Sequence, residues 1–187
     1  MSNKGRIIII SAPSGTGKTT VVRRLLQQKP GMIHSVSHTT RVRRGSEQEG
    51  VDYIFISEPQ FQKNKTSEVY AEWAQVHGNF YGTPKEPLEK SVREGKDILL
   101  DIDIQGGLQL KKKYPKNTIT IFLLPPSEAE LEKRLLARGT EAPEVQARRL
   151  ENAKKELEAR DRYDHQVVND NLDHACQKIL SLCYISS

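Results

Sequence analysis

The stretch "IIIISAPSGTGKTTVVRRLLQQ", residues 7–28, decides the fold of this chain. It begins with four isoleucines, a short apolar run that is typical of a strand covered on both faces. A turn with two glycines follows, and after it Val21, Val22, Leu25 and Leu26 recur at helical spacing. A strand, a tight turn and a helix in this order predict the first unit of a parallel α/β sheet.

The turn has the composition of a loop that binds phosphate. It matches the pattern Gly-x-x-x-x-Gly-Lys-Ser/Thr, except that Ala12 replaces the first glycine. Gly15 and Gly17 can adopt positive φ, so that backbone N–H groups converge on phosphate oxygens. Lys18 would then lie between the β- and γ-phosphates of a nucleoside triphosphate, and the Thr19 hydroxyl would bind Mg²⁺. The predicted contact residues are Ala12, Pro13, Ser14, Gly15, Thr16, Gly17, Lys18, Thr19 and Thr20.

Strands and helices continue to alternate after this unit. Strands are predicted in "DILLDIDI" (97–104), "TITIFLL" (118–124) and "DHQVVND" (164–170), and helices in "QGGLQLKKKY" (105–114) and 172–182. The alternation indicates a parallel sheet with right-handed crossovers. Asp101 and Asp103 would share one face near the carboxyl end of their strand, where ligands bind in open α/β sheets.

A β-rich segment interrupts this alternation. Residues 35–84 contain "VDYIFIS" and "EWAQVHG", whose alternating polar and apolar residues predict antiparallel strands. Between these strands, Ser57 and Gln60 have the spacing of a capping box, which predicts the start of a short helix.

A charged helical segment follows the third predicted strand of the core. A Ser127/Glu130 capping box and Gly139 bound one helix, and a second is expected over 143–160. We therefore expect a three-layer α/β fold with a central parallel sheet and two insertions that project from the same edge of that sheet. The core would comprise 1–35, 86–127 and 158–187, the β-rich insertion 36–85 and the helical insertion 128–157.

The overall composition is that of one soluble globular domain. The chain has 187 residues, of which 28% are charged and 6% aromatic, and its formal net charge is +5. Such a charge suits small polyphosphates as well as nucleic acid. The densest basic run, Lys111–Lys113, is interpreted as the solvated end of a helix, so no nucleic-acid partner is expected.

Several other patterns bear on the cellular setting. No apolar run approaches the ~18 residues of a membrane span, and no signal-peptide pattern opens the chain, so we expect a cytoplasmic protein without a membrane partner. Cys176 and Cys183 are interpreted as reduced, buried residues of one helix. The five histidines lack metal-ligand spacing and are interpreted as surface or turn residues. Without heptad repeats, a monomer or small homo-oligomer is expected.

The β-rich segment carries side chains that suit a phosphate monoester. Arg41 and Arg44 lie three apart in "SVSHTTRVRRG", and Tyr53 follows in "GVDY". Guanidinium groups grip phosphate in a bidentate manner, and a phenol can donate a further hydrogen bond. Further along, "EWAQVHGNFYGTP" offers a carboxylate, a phenol and a hydroxyl: Glu72, Tyr81 and Thr83.

At these motifs the sequence resembles the guanylate kinase family. "APSGTGKT", "SxTTR", "GVDY", "EWAxVHGNxYGTP", "LLDIDIQG", "LPPS", "RGT" and "VVND" occur in the family's order and cover nearly the whole chain. The resemblance implies a P-loop kinase of purine metabolism that transfers the γ-phosphoryl of ATP to GMP or dGMP with Mg²⁺. It also implies that the β-rich insertion binds GMP and that the helical insertion is a lid over the triphosphate.

The resemblance further implies which residues read the acceptor. Glu72 would bind guanine, because an ionised carboxylate can accept hydrogen bonds from both N1–H and the N2 amino group. Adenine has no proton on N1 and would be rejected. Ser37, Thr83 and Asp103 would also contact the base. The phosphate of GMP would be held by Arg41, Arg44, Tyr53 and Tyr81.

The same resemblance assigns the catalytic groups. Cationic side chains would neutralise the charge of the transferred phosphoryl group, and the lid would deliver three of them on closing. Asp101 would lie near the metal, acting on it through water, and Asn169 would contact the adenine side. The implied catalytic residues are Lys18, Arg41, Asp101, Arg134, Arg138 and Arg149.

Three other interpretations compete with this one. An ordinary strand–turn–helix would explain the glycines of the turn but not a Lys-Thr pair at the start of the helix. A kinase for another phosphate ester, such as a ribose bisphosphate, would share the phosphate loop, but Glu72 and "SxTTR" argue against it. A non-catalytic guanylate-kinase-like module that binds phosphopeptides would keep the phosphate-binding residues of the β-rich insertion but lose the phosphate loop. In this chain Lys18 and Thr19 of that loop are intact.

Overall fold

The computed structural model describes residues 4–136 and 143–184. In chain order the elements are β1 (Ile7–Ser11), α1 (Lys18–Gln28), β2 (Ile33–His34), β3 (His38–Thr39), β4 (Ile54–Phe55), α2 (Glu58–Thr66), β5 (Tyr70–Val76), β6 (Asn79–Pro84), α3 (Lys85–Arg93), β7 (Ile98–Leu100), α4 (Ile104–Lys113), β8 (Thr118–Leu124), α5 (Glu128–Leu136), α6 (Pro143–Leu157), a 3₁₀ turn (Glu158–Arg162), β9 (His165–Val168) and α7 (Leu172–Tyr184). They form an α/β fold with two sheets.

The first sheet is parallel, and β1 lies at its centre. Its strand order is β2-β7-β1-β8-β9, and all of the pairings are parallel. Ile8 and Ile10 pack on one face with Val21 of α1 and Ile179 of α7, whereas Ile7 faces the other side with residues of α3 and α4. Because both faces of β1 are buried, its sequence is continuously apolar, and the predicted three-layer fold is confirmed.

The second sheet is mixed, with the strand order β4-β3-β6-β5. The β5–β6 pair is an antiparallel hairpin, as predicted, with Trp73 opposite Gly82 and His77 at positive φ in the turn. The prediction that "VDYIFIS" pairs antiparallel is wrong, because β4 runs parallel to β3. The chain between these strands, residues 40–53, is long enough to return to the start of β3 and so permits the parallel pairing.

The predicted helix signals are largely confirmed. The Ser57 hydroxyl accepts a hydrogen bond from the Gln60 N–H, and Ser127 does the same for Glu130. The helix α5 packs its Leu131 against α6, while the predicted end at Gly139 lies outside the described residues. The helix predicted over 143–160 ends as an α-helix at Leu157 and continues as the 3₁₀ turn.

The central strand prediction over 97–104 is too long. Only Ile98–Leu100 form β7. Asp103 is instead the N-cap residue of α4, with extended backbone angles, and its carboxylate accepts hydrogen bonds from the Gln105 and Gly106 N–H groups. Asp101 and Asp103 therefore lie in the connection after the strand. They do not occupy a shared strand face.

Two smaller predictions are confirmed. Cys176 and Cys183 are free and buried on α7. The lysine run Lys111–Lys113 forms the last turn of α4. Among the described residues, no helix is long and apolar enough to cross a membrane.

Candidate active site

The phosphate loop lies between the carboxyl end of β1 and the amino end of α1. Gly15 and Gly17 have φ of 88° and 92°, and Gly17 is the N-cap residue of α1. The Lys18 Nζ donates to the main-chain oxygens of Asp101 at 2.9 Å and Ile102 at 3.1 Å. The lysine therefore reaches across the cleft to the segment that follows β7.

Neighbouring elements hold this loop closely. The Asn169 Nδ2 donates to the Thr16 main-chain oxygen at 2.8 Å. A Cβ at Gly17 would lie 2.9 Å from the same Nδ2, and one at Gly15 would lie 3.1 Å from a methyl group of Leu135. Both positions combine a left-handed backbone with close packing, so only glycine fits them.

A buried carboxylate forms the other end of the cleft. Glu72 on β5 is 5% exposed, and its Oε1 accepts a hydrogen bond from the buried Thr83 hydroxyl at 2.5 Å across the β5–β6 hairpin. Burial raises the pKa of Glu72 to about 7, and the nearby charge of Asp103 adds to the rise, against the hydrogen bonds from Thr83. A Cβ at Gly106 would collide with Glu72 Oε2, so the first turn of α4 makes room for the carboxylate.

Glu72 lines a cavity of about 160 Å³ between the two sheets. Ser37 is 8% exposed in the segment before β3 and lies at the same cavity. The predicted residues that the structure brings together here are Lys18, Ser37, Tyr53, Glu72, Tyr81, Asp101 and Asp103.

Arg41 is held in place by several partners. It is 8% exposed; its Nη2 donates to Glu47 Oε1 at 2.6 Å and its Nε to the Tyr81 hydroxyl at 3.2 Å. The guanidinium lies 5.4 Å from the centre of the Tyr53 ring. Partial burial would raise the pKa of Glu47, but the hydrogen bonds from Arg41 and from the Arg44 N–H lower it below its ordinary value. Glu47 thus holds the Arg41 guanidinium and the main chain at Arg44.

A second cavity, of about 360 Å³, adjoins the first. Lys18, Tyr81 and Asp103 line both cavities, so the two form one cleft. The Arg44 and Arg149 side chains line the second cavity together with the phosphate loop. The loop residues that line it are Ala12, Pro13, Ser14, Gly15, Gly17, Lys18, Thr19 and Thr20.

The predicted lid arginines have different environments. Arg149 on α6 lies at the phosphate loop cavity, whereas Arg134 is ion-paired within α5, its Nε 3.0 Å from Glu130 Oε1. Arg138 lies outside the described residues. The structure therefore brings one of these arginines to the loop and holds another on its own helix.

Comparison with known proteins identifies the family. The guanylate kinase family model matches residues 4–184. The chain is 46% identical to the guanylate kinase of Thermotoga maritima over 179 residues, which are 96% of this chain and 86% of that protein. It is also 46% identical to the guanylate kinase of Rhizobium meliloti over 182 residues, 97% and 83% of the two chains. The chain belongs to the guanylate kinase family.

Solved structures agree with this membership. The guanylate kinase of Anaplasma phagocytophilum superimposes with a TM-score of 0.83 at 32% identity, covering 98% of this chain and 86% of that one. A gluconokinase from Sinorhizobium meliloti reaches a TM-score of 0.52 at 15% identity, over 97% and 92% of the chains, and shows a shared fold alone. The family resemblance read from the sequence motifs is confirmed.

Sequence reasoning missed three residues of this guanylate kinase family site. Glu156 on α6 lines the phosphate loop cavity beside the Ser14 N–H, and burial raises its pKa against the effects of that N–H and of Lys18. Gly106 makes room for Glu72, and Glu47 holds the Arg41 guanidinium. Glu156 and Glu47 lie in charge-rich segments where no spacing sets them apart, and the Gly106–Glu72 contact joins residues far apart in the chain.

The interpretation of all histidines as surface or turn residues is wrong for His34, His38 and His165, which are partly buried in strands. His38 is half-buried in β3, and its Nδ1 lies 3.1 Å from the Tyr70 hydroxyl. His34, at the end of β2, contacts Asp101, with Nε2 3.1 Å from Oδ1. Strand pairing places the side chains of His34 and His38 at interior positions that the local sequence does not indicate.

Proposed function

We propose that this chain transfers the γ-phosphoryl group of ATP to GMP, the reaction of the guanylate kinase family, within the cleft between the two sheets. The observation that carries the proposal is the position of Lys18. It lines both cavities, with the phosphate loop on one side and the buried Glu72–Thr83 pair on the other. A donor phosphate on the loop and an acceptor at Glu72 would therefore meet at one cation.

The donor would be held by main-chain groups of residues 12–20. The glycines expose N–H groups that can converge on the β- and γ-phosphates, and Lys18 would leave the two carbonyl oxygens to bind them. Asn169 supports this loop through Thr16, and we place the adenine beside it.

Mg²⁺ fits the donor set of this cleft. The described residues contain no group of three or more His, Cys, Asp or Glu side chains that could hold a metal alone. Protein-bound Mg²⁺ commonly uses one or two protein oxygens plus phosphates and water. We propose that the exposed Thr19 hydroxyl binds it directly and Asp101 through water. The ion would neutralise phosphate charge during transfer.

The acceptor side would distinguish guanine from adenine through the negative charge of Glu72. Ionised Glu72 would accept from N1–H and the N2 amino group, with Thr83, Ser37 and Asp103 completing the contacts to the base. With its pKa raised to about 7, Glu72 is partly protonated at neutral pH, so GMP binding would release a fraction of a proton from it. The GMP phosphate would bind Arg41, Arg44, Tyr53 and Tyr81.

Closure of residues 128–157 over the donor would complete the site, with 36–85 closing over GMP. Arg149 already lies at the loop, and Arg134 would exchange Glu130 for phosphate, with Arg138 as a third cation. The acceptor phosphate is an oxyanion at neutral pH, so no strong general base is needed. Positioning and electrostatics carry the catalysis.

We further propose a cytoplasmic setting for this activity, with nucleotides as partners and neither nucleic acid nor membrane involved. A monomer or small homo-oligomer would suffice, because the described residues of one chain supply both halves of the cleft.

The test is release of ADP from Mg·ATP with GMP, dGMP, AMP, CMP, UMP and ribose 1,5-bisphosphate, with Lys18→Ala as the blank. Turnover with GMP should exceed turnover with AMP by at least about 10³-fold. Turnover of the sugar phosphate alone would overturn the acceptor assignment and leave the phosphate loop. Binding of GMP without turnover of any acceptor would favour a binding module.

A further inference from the structure

His34 and Asp101 form a polar pair at the carboxyl end of two adjacent strands. His34 ends β2 and is paired in register with Leu99 of β7, so its side chain lies next to the segment that follows β7. The His34 Nε2 is 3.1 Å from Asp101 Oδ1, and each side chain is 22% exposed. The pair is therefore partly shielded from water and within hydrogen-bond distance.

Asp101 is attached to the cleft through two of its groups. Asp101 lines the cavity that Glu72 and Tyr53 also line, and its carboxylate is close enough for its charge to act on Tyr53. Its main-chain oxygen accepts from the Lys18 Nζ at 2.9 Å. A rotation of the Asp101 side chain would leave the main-chain contact intact and would move only the carboxylate. Its orientation therefore depends on side-chain partners, among which the described residues provide His34.

A second carboxylate lies near the imidazole. Asp52, in the segment before β4, is close enough for the charge of His34 to act on it, and it is ion-paired with Arg23 at 2.8 Å. Asp52 is thus already satisfied by a guanidinium. The imidazole Nε2 is left to Asp101.

We propose that His34 is a positioning residue for phosphoryl transfer, which donates from Nε2–H to Asp101 Oδ1 and so fixes the carboxylate that we assign to the Mg²⁺ shell. The inference rests on the proposed function. It does not require the imidazole to change its charge, because Nε2 carries a proton in the imidazolium and in one neutral tautomer. Partners that orient metal-shell ligands typically contribute 10–100-fold to metal affinity or activity.

The experiment compares His34→Leu, which removes the donor, with His34→Gln, whose side-chain amide can supply an N–H in place of Nε2. The matched control is His165→Leu, a partly buried histidine that begins β9 on the opposite edge of the same sheet. Binding of ATP is measured by calorimetry with Mg²⁺ and again with EDTA. The kcat, the KM for GMP and the melting temperature are measured for each variant.

We expect His34→Leu to weaken Mg·ATP binding by about 10-fold and to lower kcat by a similar factor. Metal-free ATP binding and the KM for GMP should stay within about 2-fold, and His34→Gln should recover most of the loss. An equal loss in His34→Gln and His34→Leu, at unchanged melting temperature, would overturn the proposal. So would a wild-type Mg·ATP affinity in His34→Leu.

A double-mutant cycle with Asp101→Asn tests the route of the effect. If His34 acts through Asp101, His34→Leu should add little to the loss already present in Asp101→Asn. Additive losses would overturn the proposal. The calorimetric arm does not need an acceptor, so failure of GMP turnover in the wild-type chain would count against the proposed function and leave the test of His34 intact.

Discussion

The two ends of the cleft are built in different ways. The donor end is one continuous loop, residues 12–20, whose main chain presents the binding groups. The acceptor end collects side chains from separate segments of the second sheet and its connections, such as Ser37, Arg41, Glu72 and Tyr81. The first end is anchored on a fully buried apolar strand, and the second holds two charges that are 5% and 8% exposed.

Each end is therefore sensitive to different substitutions. Buried charges are costly unless they are hydrogen-bonded, so changes at the acceptor end should alter stability as well as binding. The donor end directs Lys18 and Thr19 to the cleft, so these two side chains can change with little effect on folding. Substitutions at the two ends should therefore separate catalysis from stability.

Replacing Lys18 by alanine should abolish most activity without unfolding the protein. Loss of a cation at the transferred phosphate should lower kcat by at least about 10³-fold. Its two hydrogen bonds go to carbonyl groups beside an open cleft, where water can replace them, so the free energy of unfolding should change by less than about 1 kcal/mol. Steady-state kinetics and urea denaturation measure the two effects. Lys112→Ala, on the exposed end of α4, is the control.

Glu72→Gln should weaken the use of GMP and leave ATP binding unchanged. The amide keeps the shape of the carboxylate but presents a donor to guanine, so kcat/KM for GMP should fall by about 10²–10⁴-fold. Calorimetry should show ATP binding unchanged within about 2-fold. A comparable loss of ATP affinity would mean that the two ends of the cleft are not separable.

Stability should depend on pH through the same carboxyl. The pKa of Glu72 is raised from 4.5 to about 7, so between these values the folded chain keeps a proton that the unfolded chain has lost. The free energy of unfolding should therefore fall as pH rises across this window, by up to about 3 kcal/mol, and level off above it. Urea denaturation at pH 5 and pH 8 of the wild type and Glu72→Gln isolates this contribution, because the variant lacks it. Parallel pH profiles would contradict the assignment.

Gly106→Ala should disturb the acceptor end by crowding. The added methyl group would collide with Glu72 Oε2, and overpacking of this kind typically costs about 1–3 kcal/mol. We expect the KM for GMP to rise by about 10-fold, which corresponds to about 1.4 kcal/mol. Gly31→Ala is the matched control, because a Cβ there meets nothing within 4 Å. Equal behaviour of the two variants would show that Glu72 has room to move.

Arg23→Ala should have the smallest effect. Its ion pair with Asp52 joins α1 to the segment before β4, but the Arg23 side chain is 63% exposed. Exposed ion pairs contribute about 0–1 kcal/mol, so unfolding and the KM for GMP should hardly change. A loss above about 2 kcal/mol in urea denaturation would show that this contact couples the two ends of the cleft.

The contrast between the two ends also explains what could be predicted. The order of β1, the loop and α1 follows from an apolar run, two glycines and helical spacing, all within about twenty residues. The parallel pairing of β4 with β3 was missed, because pairing direction depends on the path of the connecting chain. The contacts of His34 and Gly106 were missed as well, since their partners lie 67 and 34 positions away.

The amino-acid sequence is therefore sufficient to predict the donor loop, the α/β core and, through its ordered motifs, the family. Each of these is encoded by neighbours in the chain or by motifs that keep their order. Three features become visible only in the folded chain: Asn169 supports the loop, Glu47 holds Arg41, and Glu72 is buried beside Thr83 with a raised pKa. Burial and hydrogen-bond partners are set by segments that meet after folding, so local sequence does not contain them.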